Sequence, residues 1–145
     1  MNSIKINLEK NKVMLEKIFL DTSFIIALAF DNDENNKRAA NLLNILEEDC
    51  YINNGVLNEV VTVSNNKGDY TKAEKMFNFL IDNFTIINEY SIINYNSKTM
   101  VNFSKHNGKL SFIDSGIITT MVEHNIKKLV TFDKAFKKED QVEVI

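Results

Sequence analysis

The sequence predicts an α/β fold with a central, mostly parallel sheet, and three observations carry that prediction. Short apolar runs alternate with longer stretches of helical period along the chain. Two of these runs, KIFL at 17–20 and KLVTF at 128–132, are nearly unbroken, as in strands buried on both faces. Strands separated by helices pair in parallel, since each return must cross a face of the sheet. The 145 residues fit one domain and suffice to bury a core.

Residues 1–17 are polar with scattered Ile and Leu, and Met14 offers an alternative start. They are expected to form an extension to a domain spanning 18–145. The first strand is placed at 17–20, followed by helices at 22–30 and 34–48, a strand at 50–52, and helices at 55–64 and 71–81. A strand at 84–87, helices at 92–105 and 111–124, a strand at 128–131, a turn at 132–136 and a last strand at 142–145 complete the order. Two helices fit the amphipathic template well. Ala39, Leu42, Leu43 and Leu46 fall at i, i+3, i+4, i+7, as do Ala73, Met76, Phe77 and Leu80, so each set should face the core or a dimer partner.

Composition narrows the function. Hydrophobic residues make up 44% and charged residues 26%, as in a folded globular domain rather than a disordered chain. No segment approaches a membrane span, and MNSIKINLEK lacks the apolar core of a signal peptide; a cytoplasmic location without membrane contact is expected. One cysteine, Cys50, excludes an intramolecular disulfide and a zinc-finger cluster and reads as an inert strand thiol. The net charge of −3 argues against a surface basic all over. It leaves room for a local basic patch, and Lys127, Lys128, Lys134, Lys137 and Lys138 crowd the last twenty residues.

The acids are the informative residues. Asp21 ends the first strand, where a turn or cap role is common, while Thr22 and Ser23 can each cap the next helix. In GVLNEVVTV, the residues Val56, Glu59, Val60 and Val63 share one stripe, which sets Glu59 on or beside an apolar face. The opposite rotation, with Leu57, Val60 and Val61 inward, would expose it. Ser111 and Asp114 form an S-x-x-D capping pattern, yet Asp114, Ile118 and Met121 lie at i, i+4, i+7 on the sheet side. Thr131 and Asp133 end the strand at 128–131, as turn residues or as part of a site. Ligands of parallel sheets sit at the carboxyl ends of strands, where Asp21 and Asp133 fall.

Gathered together, four carboxylates repel one another, and desolvating each costs several kcal/mol or so. A divalent cation resolves the conflict, and carboxylate oxygens suit Mg²⁺ or Mn²⁺. A histidine-based mechanism needs a positioned pair. Only His106 and His124 are available, one before a loop and one at a helix end.

Four ordered blocks, FLDTSFIIAL, VLNEVV, LSFIDSGI and LVTFDKAF, resemble the PIN-domain ribonucleases, the fold of VapC-type toxins of bacterial and archaeal toxin–antitoxin pairs. The resemblance covers 18–145. It implies a three-layer α/β/α sandwich with Asp21, Glu59, Asp114 and Asp133 at the family's acidic positions, and Thr22 and Thr131 at accessory polar ones. It further implies Mg²⁺- or Mn²⁺-dependent RNA hydrolysis leaving 5′-phosphate and 3′-hydroxyl ends, a homodimer, and a cognate antitoxin. Ala135 stands where many relatives carry another acid, which bears on a second metal. The alternatives are a non-catalytic PIN module that binds RNA or protein, and a housekeeping RNA-processing nuclease with the same residues.

Overall fold

The computed structural model describes residues 15–145. Most of the expected extension, residues 1–14, lies outside the described residues. Five strands form one sheet: β1 (Lys17–Leu20), β2 (Asp49–Asn53), β3 (Thr85–Ile87), β4 (Lys128–Val130) and β5 (Glu143–Val144). Every pairing is parallel, in the order β3-β2-β1-β4-β5. Ile18 pairs with both Cys50 and Lys128, so β1 is the central strand, and its Ile18, Phe19 and Leu20 are buried.

The helices are α1 (Thr22–Ala29), α2 (Asn36–Asn41), α3 (Asn54–Lys67), α4 (Tyr70–Asn83), α5 (Tyr95–Lys105) and α6 (Phe112–Glu123). Packing divides them: α1 lies on α3 and α3 on α4, while α5 lies on α6. The division follows from the strand order. The chain steps outward from β1 to β2 to β3, then returns to the other side of β1 for β4 and β5. Parallel crossovers are right-handed, so reversing direction moves the connecting helices to the opposite face. The result is a three-layer α/β/α arrangement whose direction reverses between β1 and β4. A crevice opens at the carboxyl ends of two such strands.

Local chemistry fixes the joints. The buried Asn53 ends β2; its Oδ1 accepts from Val56 N (3.0 Å), capping α3, and its Nδ2 donates to Thr120 Oγ1 on α6 (3.1 Å). Asp69 caps α4 through Lys72 N (2.9 Å). On the other face α5 and α6 approach so closely that a Cβ at Gly116 would run into the Tyr95 hydroxyl. Cys50 is buried, its Sγ donates to Ile45 O (3.3 Å), and burial pushes its thiol up to about 12.

Two expected helices are shortened. The helix placed at 34–48 is α-helical only over Asn36–Asn41 and tightens into a 3₁₀ turn at Leu43–Glu47. With three residues per turn, the inward positions become Ala39, Leu42 and Ile45, and Leu43 is turned out to 55% exposure. The helix placed at 92–105 begins at Tyr95, because Asn94 adopts a left-handed conformation (φ 59°). Before it, Glu89–Ser91 form a 3₁₀ turn. The buried Glu89 carboxylate accepts from Asn54 N and Gly55 N, both at 2.9 Å, so that segment serves the amino end of α3 instead of extending α5. On α4, Ala73, Met76 and Leu80 are buried but Phe77 remains 43% exposed. No described helix is long and apolar enough to cross a membrane.

Candidate active site

The crevice predicted by the reversal is occupied by acids. Asp21, Glu59, Asp114 and Asp133 line one open pocket of about 270 Å³ together with Thr22, Ser23 and Lys67. They come from four places: the end of β1, the middle of α3, the first turn of α6, and the loop after β4.

Asp21 is the most enclosed, at 4% exposure. Its Oδ2 accepts two hydroxyl bonds, from Thr131 Oγ1 at 2.7 Å and Ser23 Oγ at 2.8 Å. The two hydroxyls are 3.2 Å apart, and each also accepts a backbone N–H: Phe132 N reaches Ser23 Oγ and Asp133 N reaches Thr131 Oγ1, both at 3.0 Å. Adjacent strand ends are thus laced around one carboxylate. Neither Thr22 nor Ser23 caps α1, contrary to expectation. Asp21 occupies the N-cap position without a side-chain cap bond, because its carboxylate is engaged by Ser23 and Thr131.

Glu59 takes the first of its two predicted orientations. Val56 and Val60 are buried, and Glu59 and Val63 line the pocket. Asp114 combines both of its predicted roles: its N–H donates to Ser111 Oγ (3.1 Å), which caps α6, and its carboxylate faces the pocket. Ile118 and Met121, on the same stripe, are fully buried. Asp133 is also a cap, accepting from Ala135 N (2.9 Å) to start the 3₁₀ turn Lys134–Lys138.

Burial pushes the carboxyl of Asp114 up to about 7, with Asp21, Glu59 and Asp133 adding to the effect. Asp21 is raised by burial against the lowering influence of Thr131 and Ser23. Glu59 is raised by burial and by Asp21. The neighbouring Thr22 hydroxyl lowers Glu59 in part, though Thr22 Oγ1 is buried with no partner in hydrogen-bond geometry. Among the described residues the one cation lining the pocket, Lys67, is 3.5 Å from Asp33 and near the Phe30 ring. This is a cluster of oxygen donors short of positive charge, the donor chemistry that suits a hard divalent ion. Among the described residues, no three His, Cys, Asp or Glu side chains stand as a ready-made metal cage.

A family model described as PIN domain matches residues 18–141. The chain belongs to the PIN-domain family. This PIN domain is similar to a solved structure from Mycobacterium tuberculosis, VapC20, titled a sarcin-ricin loop cleaving toxin. The two are 22% identical, with a TM-score of 0.75 over 88% of this chain and 98% of that one. It is also similar to a chain in a toxin–antitoxin complex from Klebsiella pneumoniae (20% identity, TM-score 0.65, 87% and 95% covered). A third likeness is to VapBC2 from Rickettsia felis bound to a promoter DNA fragment (14% identity, TM-score 0.60, 89% and 97% covered). No curated protein sequence matches this PIN domain.

All four predicted acids and Thr22 line the pocket, with Thr131 bound to Asp21 beneath it. In the sequence Ser23 reads as a cap and Lys67 is unmarked. Ser23 carries a local signal, standing two residues from the Asp21 it bonds, while its contact with Thr131, 108 positions away, carries none. Lys67 carries only a spacing: Glu59, Val63 and Lys67 recur at i, i+4, i+8.

Proposed function

We propose that this PIN domain is a divalent-metal-dependent ribonuclease, the toxin of a toxin–antitoxin pair. The observation that carries the proposal is the convergence of four acids from four elements on one pocket at the sheet's reversal, three of them held above the ordinary carboxylate range. A Mg²⁺ or Mn²⁺ ion held by these carboxylates would supply Lewis-acid activation of water and charge neutralisation for an in-line displacement at phosphorus.

The residues divide the work. Asp21 and Asp114 would be the principal ligands of such an ion; Glu59 would be a ligand or orient the attacking water, and Asp133 would be a further ligand. Thr131 and Ser23 hold the Asp21 carboxylate in one rotamer, the orienting role that outer hydrogen bonds play around metal ligands. By the pattern of the family it resembles, the products would carry 5′-phosphate and 3′-hydroxyl ends.

The toxin reading carries a protein partner with it. An antitoxin segment would occupy the acidic pocket by placing Arg or Lys against the carboxylates. The exposed apolar side chains Leu43, Phe77 and Phe79 on one helical layer support burial against an antitoxin or in a homodimer. Both the RNA and the antitoxin belong to the cytoplasm.

The test is cleavage of a mixed RNA pool with Mg²⁺ or Mn²⁺, with and without EDTA, by wild type and by folded Asp21→Asn and Asp114→Asn variants. Metal-dependent cutting lost in both variants supports the reading. Cutting that survives both substitutions refutes the site, and RNA binding without any cutting favours a non-catalytic module. Growth arrest on expression, relieved by a neighbouring gene product, separates a toxin from an RNA-processing enzyme.

A further inference from the structure

A second concavity of about 420 Å³ lies beside the acids and has the opposite charge. Its walls are the loop after α5 and the 3₁₀ turn Lys134–Lys138, and it is lined by Lys105, Lys109, Lys134, Lys137 and Lys138, with His106. Five of the chain's 17 Lys and Arg residues thus meet in one cleft of a protein whose net charge is −3. Lys105 is committed, at 2.6 Å from Asp140 and 3.2 Å from Glu139. Among the described residues, no carboxylate lies within ion-pair distance of Lys109, Lys134, Lys137 or Lys138.

The cleft is held by a buried anchor. Glu139, whose side chain is fully enclosed, bonds His106 Nε2 at 2.6 Å from one wall and accepts from Gln141 N at 3.1 Å beyond the other. Asn107 (φ 52°) and Gly108 (φ 72°) reverse the chain so that Lys109 returns along the rim. Like charges kept together at a fixed spacing repel one another, and the arrangement persists because Glu139 holds both walls.

Both walls are continuous along the chain with residues of the acid pocket. Lys134 follows Asp133 directly in the chain, and Lys109 lies two residues before the Ser111 cap that sets Asp114. A polyanion lying in the cleft would therefore be led toward the acids. A single-stranded nucleic acid meets this requirement, because basic grooves track its backbone without regard to sequence.

We propose that this lysine cleft seats the RNA phosphates adjoining the bond that is cut, so that Lys109, Lys134, Lys137 and Lys138 hold the backbone while the acids act on the next phosphate. The proposal rests on the nuclease reading above and adds the substrate path to it. The exposed position of the lysines leaves the fold indifferent to their neutralisation.

The test measures binding apart from cutting. A labelled single-stranded RNA of mixed sequence is titrated in the Asp114→Asn background with Mg²⁺ over a range of salt. The background protein is compared with a cleft variant (Lys109→Gln/Lys137→Gln/Lys138→Gln) and a control (Lys37→Gln/Lys75→Gln/Lys127→Gln). The slope of log affinity against log salt should become shallower by about 2 in the cleft variant, at about 0.7 for each phosphate left without its lysine, and stay unchanged in the control. An unchanged slope in the cleft variant, or an equal loss in both, overturns the proposal. So does retention of poly-glutamate by the cleft lysines alongside RNA binding that ignores the substitutions. Wild type that cuts RNA while the cleft variant keeps its slope removes the cleft and leaves the nuclease. Slope loss confined to the cleft variant, in a protein whose wild type cuts nothing, supports the cleft and removes the nuclease.

Discussion

The 3₁₀ turn Lys134–Lys138 runs between two carboxylate sites that belong to opposite electrostatic regimes. At its start Asp133 joins the pocket in which burial holds Asp21, Glu59 and Asp114 above the usual range, with Asp114 at about 7. At its end Glu139 is buried as well, yet it is lowered to about 2. Burial raises Glu139 too, but His106, Gln141 and Lys105 surround it with donors and outweigh that effect. Around Asp21 the donors are neutral, the hydroxyls of Ser23 and Thr131 and the Thr22 backbone, and the charge acting on it is another acid, Asp133. Glu139 has its counter-charge within the chain. Among the described residues the acids around Asp21 form no ion pair, the pocket's Lys67 being turned to Asp33, and this supports the cation site proposed above.

Substitutions should separate the regimes. The largest effect is on activity: Asp21→Asn or Asp114→Asn should reduce metal-dependent RNA cleavage by about a thousandfold, the loss of several kcal/mol of transition-state stabilisation. Single-turnover cleavage reads it, provided circular dichroism shows the variants folded. Glu139→Gln should instead cost stability, about 2 kcal/mol in urea denaturation, because it leaves the enclosed His106 facing a neutral amide. If Glu139→Gln proves neutral to stability, the contrast fails.

That contrast was half legible in the sequence. The acid pocket could be read because its members sit at marked places: Asp21 after the unbroken KIFL run, Glu59 on an apolar stripe, Asp114 in a capping pattern. Each place has a physical reason to be noticed in a single segment. The Glu139 cluster could not be read that way, since His106 and Glu139 meet across 33 residues and nothing local announces the pair. Fold class and the parallel sheet followed from apolar runs and crossovers. The helix breaks at Leu42 and Asn94 did not, because they depend on tertiary demands: Ile45 taking the inward place of Leu43, and Glu89 binding the amino end of α3. Lys137 and Lys138 stood out in the sequence as a run, but their meeting with Lys109 is a product of the fold.

A smaller effect sharpens the comparison from the acid side. Thr131→Val removes a hydroxyl that both orients Asp21 and lowers its pKa. Metal affinity should fall about tenfold, as for other residues that orient ligands, while the buried methyl groups keep the fold. Isothermal titration with Mn²⁺ reads it directly. Affinity equal to wild type would mean that Ser23 alone positions the carboxylate.

The smallest effect is the pH dependence of stability, where the two regimes carry opposite signs. Between its ordinary value of 3.8 and its folded value of about 7, Asp114 holds a proton in the folded state that the unfolded chain has released. Its contribution therefore favours folding at low pH and is lost as pH rises through about 7. Glu139, lowered from 4.5 to about 2, contributes stability above about pH 4.5 and loses it as pH falls toward 2. In EDTA, wild type should be less stable at pH 8 than at pH 5. Asp114→Asn should recover about 1 kcal/mol at pH 8, after allowing for solvent screening in the open pocket, with a residual slope left by Asp21 and Glu59. Added Mg²⁺ should stabilise wild type more at pH 8 than at pH 5, since cation and protons compete for the same carboxylates. Denaturation midpoints at the two pH values decide it: a wild type equally stable in EDTA at both would show that the acids already share a counter-charge within the chain, and the distinction between the two ends of the turn would disappear.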